Sequence, residues 1–151
     1  MLFRSLPTPS ESAIVIGAEA DDWRAAVRVA GRALCESGAT LAGYSDEMIR
    51  MIEEHGPYVV IAPGLALAHA RPGPDVLADG LAVVTLKAPV LFGHPHNDPV
   101  SVVLGLAIKS AKTHLETVAE LANIFNDSNA ISRLMTASSV AEIQEIMGNA
   151  S

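Results

Sequence analysis

Apolar positions recur along the chain with two periods, and the switches between them mark out its elements. Ala13 to Ile16 is a short apolar run fit for an edge strand. Asp21 or Asp22 then caps a helix in which Trp23, Ala26, Val27, Ala30 and Leu34 fall at helical spacing, and Gly38 ends it. Ser45 is placed to cap a second helix with Met48, Ile49 and Ile52 on one face, stopped by Gly56-Pro57. Tyr58 to Ala62 is rich in β-branched residues and reads as a buried strand. Pro63-Gly64 turns the chain into a further apolar run that ends His69-Ala70-Arg71-Pro72. Leu81 to Leu86 reads as a strand, Val90 to Phe92 as a short one, and residues 93–99 as a loop. Val100 to Ile108 is the most apolar strand candidate; it and Tyr58 to Ala62 are expected at the centre of the sheet, too apolar to face solvent. Thr113 and Glu116 match a capping box, opening a helix with Leu115, Val118, Ala119, Ala122 and Phe125 on one side. Ser128 is placed to cap a short helix through Leu134. Ser139 to Glu142 is a second capping box, and Gly148 should end the last helix.

Two helices, several strands and then more helices predict an α/β fold with a mixed sheet covered by helices. The polar stretch 1–12, with Pro7 and Pro9, reads as a flexible arm before a single domain over 13–151. At 151 residues the chain can bury a real core, and with aromatics at 4% that core must be mostly Ala, Val, Leu and Ile. No apolar run approaches the roughly 20 residues of a membrane span. The single cysteine, Cys35, cannot form an internal disulfide and suits a reducing cytoplasm. A net charge of −7 without a Lys/Arg cluster argues against nucleic acid and anionic membranes and suits a basic docking partner.

Five histidines carry the candidate chemistry. His55 reads as a helix C-terminal cap. His94, His96 and Asp98 are residue types that zinc uses, but they lack a further motif ligand and read as a polar loop rather than a metal site. His69 sits where an apolar run meets a surface turn, so it can be held rigidly and still be reached. Arg71, two residues on, suits negative charge, or could pair with Asp75. His114, in the first turn of a capped helix, lies where unpaired N–H groups favour anions and keep an imidazole neutral. A nucleophilic His69 and a donor His114 would make a phosphoryl site, with Thr113 among the donors. The other nitrogen of His69 needs an acceptor to set its tautomer; a main-chain carbonyl or Asp98 could serve.

The run Gly56 to Pro72, Gly-Pro-Tyr-Val-Val-Ile-Ala-Pro-Gly-Leu-Ala-Leu-Ala-His-Ala-Arg-Pro, resembles the active-site signature of enzyme IIA proteins of the bacterial sugar phosphotransferase system (PTS). The mannitol/fructose-type superfamily, and within it the ascorbate-type branch, is the nearest. Asp22-Trp23-Arg24, Phe92-Gly93, Asn97 to Val100 and Thr113 to Glu116 look like the same branch. The resemblance implies a three-layer α/β/α sandwich with a mixed central sheet. It implies a cytoplasmic phosphoryl carrier that works without a cofactor. His69 would accept phosphate from the histidine-containing phosphocarrier protein, as a tele-phosphohistidine, and pass it to a cysteine of a cognate IIB protein. His114 matches the family's second active-site histidine. The membrane IIC component would be met only indirectly, and a homodimer is left open. Ala68 stands where the family usually has proline, which frees φ and restores an N–H. Two other readings share the fold: a regulatory protein signalling through phosphorylation of His69, and a transporter-associated domain that is not phosphorylated.

Overall fold

The computed structural model describes residues 9–150. A five-stranded sheet in the order β1-β4-β5-β3-β2 forms the middle layer. β1 (Ile14–Ala18) is an edge strand parallel to β4 (Gly80–Val90); β4 is antiparallel to β5 (Val100–Ala107); β5 is parallel to β3 (Leu65–His69); and β2 (Val60–Ala62) closes the other edge, antiparallel to β3. The sheet is mixed, as the sequence predicts, with β5 at its centre. Tyr58–Ala62 differs from expectation. Only Val60–Ala62 is strand, it lies at an edge, and Tyr58 remains 42% exposed. The two strands expected over 81–92 are one, β4, whose solvent-facing Lys87–Pro89 stretch interrupts the apolar signal.

Two helical layers cover the sheet. α1 (Trp23–Glu36) and α2 (Tyr44–His55) lie on one face, packed through Ala26, Val27, Ala30, Leu34, Met48 and Ile52. α3 (Ala111–Ile124), α4 (Ser128–Thr136) and α5 (Val140–Ala150) cover the other through Leu121, Phe125, Ile131, Leu134, Ile143 and Ile146. Period-two alternation sorts each strand between the two cores. In β3, Ala66 and Ala68 face α1 and α2, while Leu65 and Leu67 face the α3–α5 layer. The small residues let α1 come close: a Cβ on Gly105 would stand 3.2 Å from that of Ala30.

Caps account for most boundaries. Asp22 accepts from the Ala25 N–H, and Gly38 leaves α1 at φ +89°. Ser45 is not a cap: α2 begins one residue earlier, after Gly43, and Ser45 is buried against Gly31 of α1. Thr113 is not one either. Ser110 caps α3, accepting from the Thr113 N–H, so the helix starts a turn's fraction earlier than the capping box suggests. Its buried side is accordingly His114, Thr117 and Leu121, leading to Phe125, and Leu115 is 71% exposed. Asp127, not Ser128, caps α4, which runs to Thr136. Ser139 does cap α5, accepting from the Glu142 N–H, but the Glu142 carboxylate returns to Ser138, and the helix continues past Gly148. Of the arm expected over 1–12, residues 1–8 lie outside the described residues. Pro9 is buried, and its carbonyl accepts from Gln144 of α5.

Candidate active site

The site forms where the C-terminal end of β3 meets the N-terminal part of α3. Alternation places His69 on the same side of β3 as Leu65 and Leu67, the side covered by α3. His114, one turn into α3, comes to meet it: the two ring centroids are 5.2 Å apart. Both imidazoles are buried. Ala68, fully buried one residue before His69, is in register with Gly105 of β5. The parallel pairing of β3 along β5 from Leu65 to His69 fixes the backbone that a proline would otherwise stiffen.

The ring of His69 is oriented from within its own strand. Its Nδ1 lies 2.8 Å from the Leu67 carbonyl oxygen. A carbonyl can only accept, so Nδ1 carries the proton and Nε2 presents its lone pair. Of the two acceptors open from sequence, the structure selects the carbonyl. Asp98 has other work. Its carboxylate accepts from the N–H groups of Phe92, Gly93 and His94, at 2.7 Å for Gly93. That ties off the loop whose Asn97 carbonyl accepts from Gly64, at the turn into β3. Asp98 therefore supports the approach to the site and does not touch His69. The His94 Nδ1 is likewise spent, accepting from the N–H groups of His96 and Asn97.

Burial pushes the pKa of His69 down, opposed in part by the Leu67 hydrogen bond. Burial, and then the neighbouring His69, push His114 down as well. Two imidazoles this close cannot both hold charge in a buried setting, and both rest neutral at neutral pH. The Nδ1 of His114 is buried without a hydrogen-bond partner among the described residues. The His114 N–H is already spent on the Ser110 carbonyl at 2.8 Å. The first-turn amides open to an anion are therefore those of Ala111 and Lys112, ahead of Thr113. Thr113 sits half-buried beside His114.

Arg71 is exposed, two residues past His69, and forms no ion pair with Asp75 among the described residues. Its charge acts instead on Tyr58: burial raises the phenol pKa and Arg71 opposes the rise. Tyr58 is a member of the site that the strand pattern concealed. Its ring meets His69 edge-on at 5.7 Å and His55 at 6.3 Å. One of only two tyrosines in so aromatic-poor a chain, directly after Gly56-Pro57, was the available signal.

Residues 9–150 match the family described as phosphoenolpyruvate-dependent sugar phosphotransferase system, EIIA 2. The chain belongs to that family. PTS EIIA proteins are phosphotransferase components. Among relatives, the ascorbate-specific PTS system EIIA component of Shigella boydii is 36% identical over 135 residues, covering 89% of this chain and 88% of that one. The mannitol-specific cryptic phosphotransferase enzyme IIA of Escherichia coli is 26% identical, with a TM-score of 0.81, and the alignment covers 94% of this chain and 96% of the other. Nitrogen regulatory protein IIA-Ntr of Neisseria meningitidis is 29% identical, with a TM-score of 0.78, over 90% of this chain and 93% of the other. As an EIIA 2 protein the chain has, among the described residues, no helix long and apolar enough to cross a membrane.

Proposed function

We propose that His69 is the phosphoryl acceptor of this EIIA protein. It takes phosphate from the histidine-containing phosphocarrier protein and hands it to a cysteine of a IIB partner. The observation that carries this is the hydrogen bond from Nδ1 to the Leu67 carbonyl, which leaves Nε2 unprotonated in a pocket shared with His114. In the first step the Nε2–P bond forms as the carrier's N–P bond breaks, and the proton stays on Nδ1, donated to the Leu67 carbonyl. In the second, a IIB thiolate attacks phosphorus, the S–P bond forms and Nε2 recovers its lone pair. Negative charge spread over the phosphoryl oxygens needs fixed donors more than covalent machinery. In this reading the His114 ring, the first-turn amides of α3 and the Thr113 hydroxyl are the donors, and Arg71 supplies an exposed cation two residues past the acceptor. No metal is required by this arrangement.

The relative from Shigella favours ascorbate or a related sugar acid as the cargo of the system served. The likeness to the Neisseria protein supports a second reading, in which the phosphorylation state of His69 is itself the signal.

The test is labelled phosphate delivered from the phosphocarrier, then a chase to a IIB cysteine. His69→Ala should form no phosphoprotein. His114→Ala should still label, with onward transfer slowed on the order of 10²- to 10³-fold by loss of one donor at a charge-stabilising site. Labelling of both variants at the wild-type rate would overturn the relay. Labelling of the wild type without any chase to IIB cysteine would favour signalling.

A further inference from the structure

We propose that Tyr44 is a positioning residue for His69, its hydroxyl holding the chain off the sheet one residue beyond the histidine. The inference rests on the reading of His69 as acceptor. Tyr44 opens α2, on the face of the sheet opposite α3, and is 1% exposed. Its ring alone would fill that space as well as phenylalanine. The hydroxyl is a polar atom taken into the core, and such an atom is kept at a cost unless it is bonded. Here it is bonded at the end of β3. The Ala70 N–H donates to it at 3.1 Å, and it donates to the Leu106 carbonyl at 2.7 Å, with the Ala70 carbonyl 3.3 Å away.

The register gives these bonds their meaning. β3 and β5 run parallel, and His69 is paired with Leu106 as the last rung. A ladder that continued would bring the Ala70 N–H onto a β5 carbonyl. The Tyr44 oxygen takes that place, a single atom inserted between the departing N–H and the Leu106 carbonyl. β3 therefore stops at His69, the chain turns outward toward exposed Arg71, and the backbone from Leu67 to Ala70 is pinned on both sides of the histidine. A ring whose tautomer depends on a bond to a carbonyl two residues back needs that backbone held. Tyr44 does not approach the phosphoryl position; it acts through His69.

In Tyr44→Phe the Ala70 N–H and the Leu106 carbonyl lose their shared partner and are free to close on each other. Two readouts follow. The ¹⁵N shifts of the His69 ring should depart from the single Nδ1–H tautomer of the wild type. Labelling at saturating phosphocarrier should slow on the order of 10²-fold, the scale of a nucleophile displaced by about an ångström, while the half-saturating carrier concentration changes little. A second experiment avoids the loss of the hydroxyl altogether. In a Tyr58→Phe protein Tyr44 is the single tyrosine, and 3-fluorotyrosine there weakens the oxygen as acceptor while keeping its shape. The Ala70 amide and His69 ring nitrogens should shift together relative to unlabelled Tyr58→Phe. Unchanged His69 nitrogens in either experiment, or unchanged labelling per folded molecule with only a lowered melting point, would make Tyr44 a packing residue and overturn the inference. Wild-type protein that never labels would instead sink the acceptor role, and the nitrogen shifts would still report whether Tyr44 holds the ring.

Discussion

A neutral imidazole is the only form of histidine that can attack phosphorus, and burial is what keeps His69 and His114 neutral. Labelling of His69 should therefore hold steady as pH falls past the range where a free histidine, near 6.5, becomes protonated, and decline only at lower pH. Rates against pH with the phosphocarrier in excess would show this; a decline centred at or above the free-histidine value would contradict it. The same shifts bear on folding. Both pKa values are lower in the folded chain, so the unfolded chain takes up these protons first. Their contribution is fully present above about 6.5 and is lost as pH falls from there through the folded values. Urea midpoints should drop between pH 7.5 and 5.5, and drop less in His69→Gln or His114→Gln. At this scale the two histidines were legible because their neighbours form recognisable motifs. The Leu67 carbonyl and the Tyr44 hydroxyl were not, since no side-chain type announces a main-chain acceptor or a contact made across 26 residues. Asp98 was one of two acceptors open for the second His69 nitrogen, and its carboxylate is instead spent on three backbone N–H groups of its own loop.

Helices and strands were read correctly where a single signal marked them and misplaced where two competed. Thr113 is the expected cap of α3, and Ser110, three residues earlier, is the one the structure uses. Thr113 has the matching Glu116, yet its own N–H is donated to Ser110, and α3 begins at Ala111, just after the Lys109 N–H is taken by Asp79. Ser110→Ala should cost about 1 kcal/mol of stability, as N-cap losses do, and should also slow transfer from His69, because His114 rides on that first turn. Urea denaturation and labelling kinetics would measure both. Ser45 misled for a similar reason. A serine before an amphipathic run looks like a cap, but this one lies against Gly31 where α1 and α2 cross. A Cβ on Gly31 would fall 1.8 Å from the Ser45 Oγ and 3.1 Å from its Cα, so backbone must move. Gly31→Ala should destabilise by about 1–3 kcal/mol, the usual range for overpacking. A paired Gly31→Ala, Ser45→Gly protein should recover part of it.

The whole molecule has two apolar cores, one on each face of a single sheet, and every strand of that sheet contributes to at least one of them. Shared strands make the two cores one cooperative unit. Trp23, the single tryptophan, packs near Phe92 at 6.1 Å on the α1 side, so its fluorescence follows one core while far-UV circular dichroism follows all the helices. The two unfolding curves should coincide; separated midpoints would show the layers melting independently. The layered plan was legible from the order of elements. The strand order was not, because pairing partners far apart in sequence leave no local mark, and Tyr58–Ala62 carried the composition of a central strand into an edge. One feature of β3 sets a limit on how this architecture can vary. Along Leu65–His69 the leucines face the α3–α5 layer and the alanines face α1 and α2, so a shift by one place would press leucines against the close-packed α1 and leave alanines to fill the other core. Fold and chemistry therefore demand the same parity: an odd-numbered insertion after Gly64 would present an alanine to His114, turn the nucleophile to the opposite face and misplace both leucines, so phosphate and stability should be lost together.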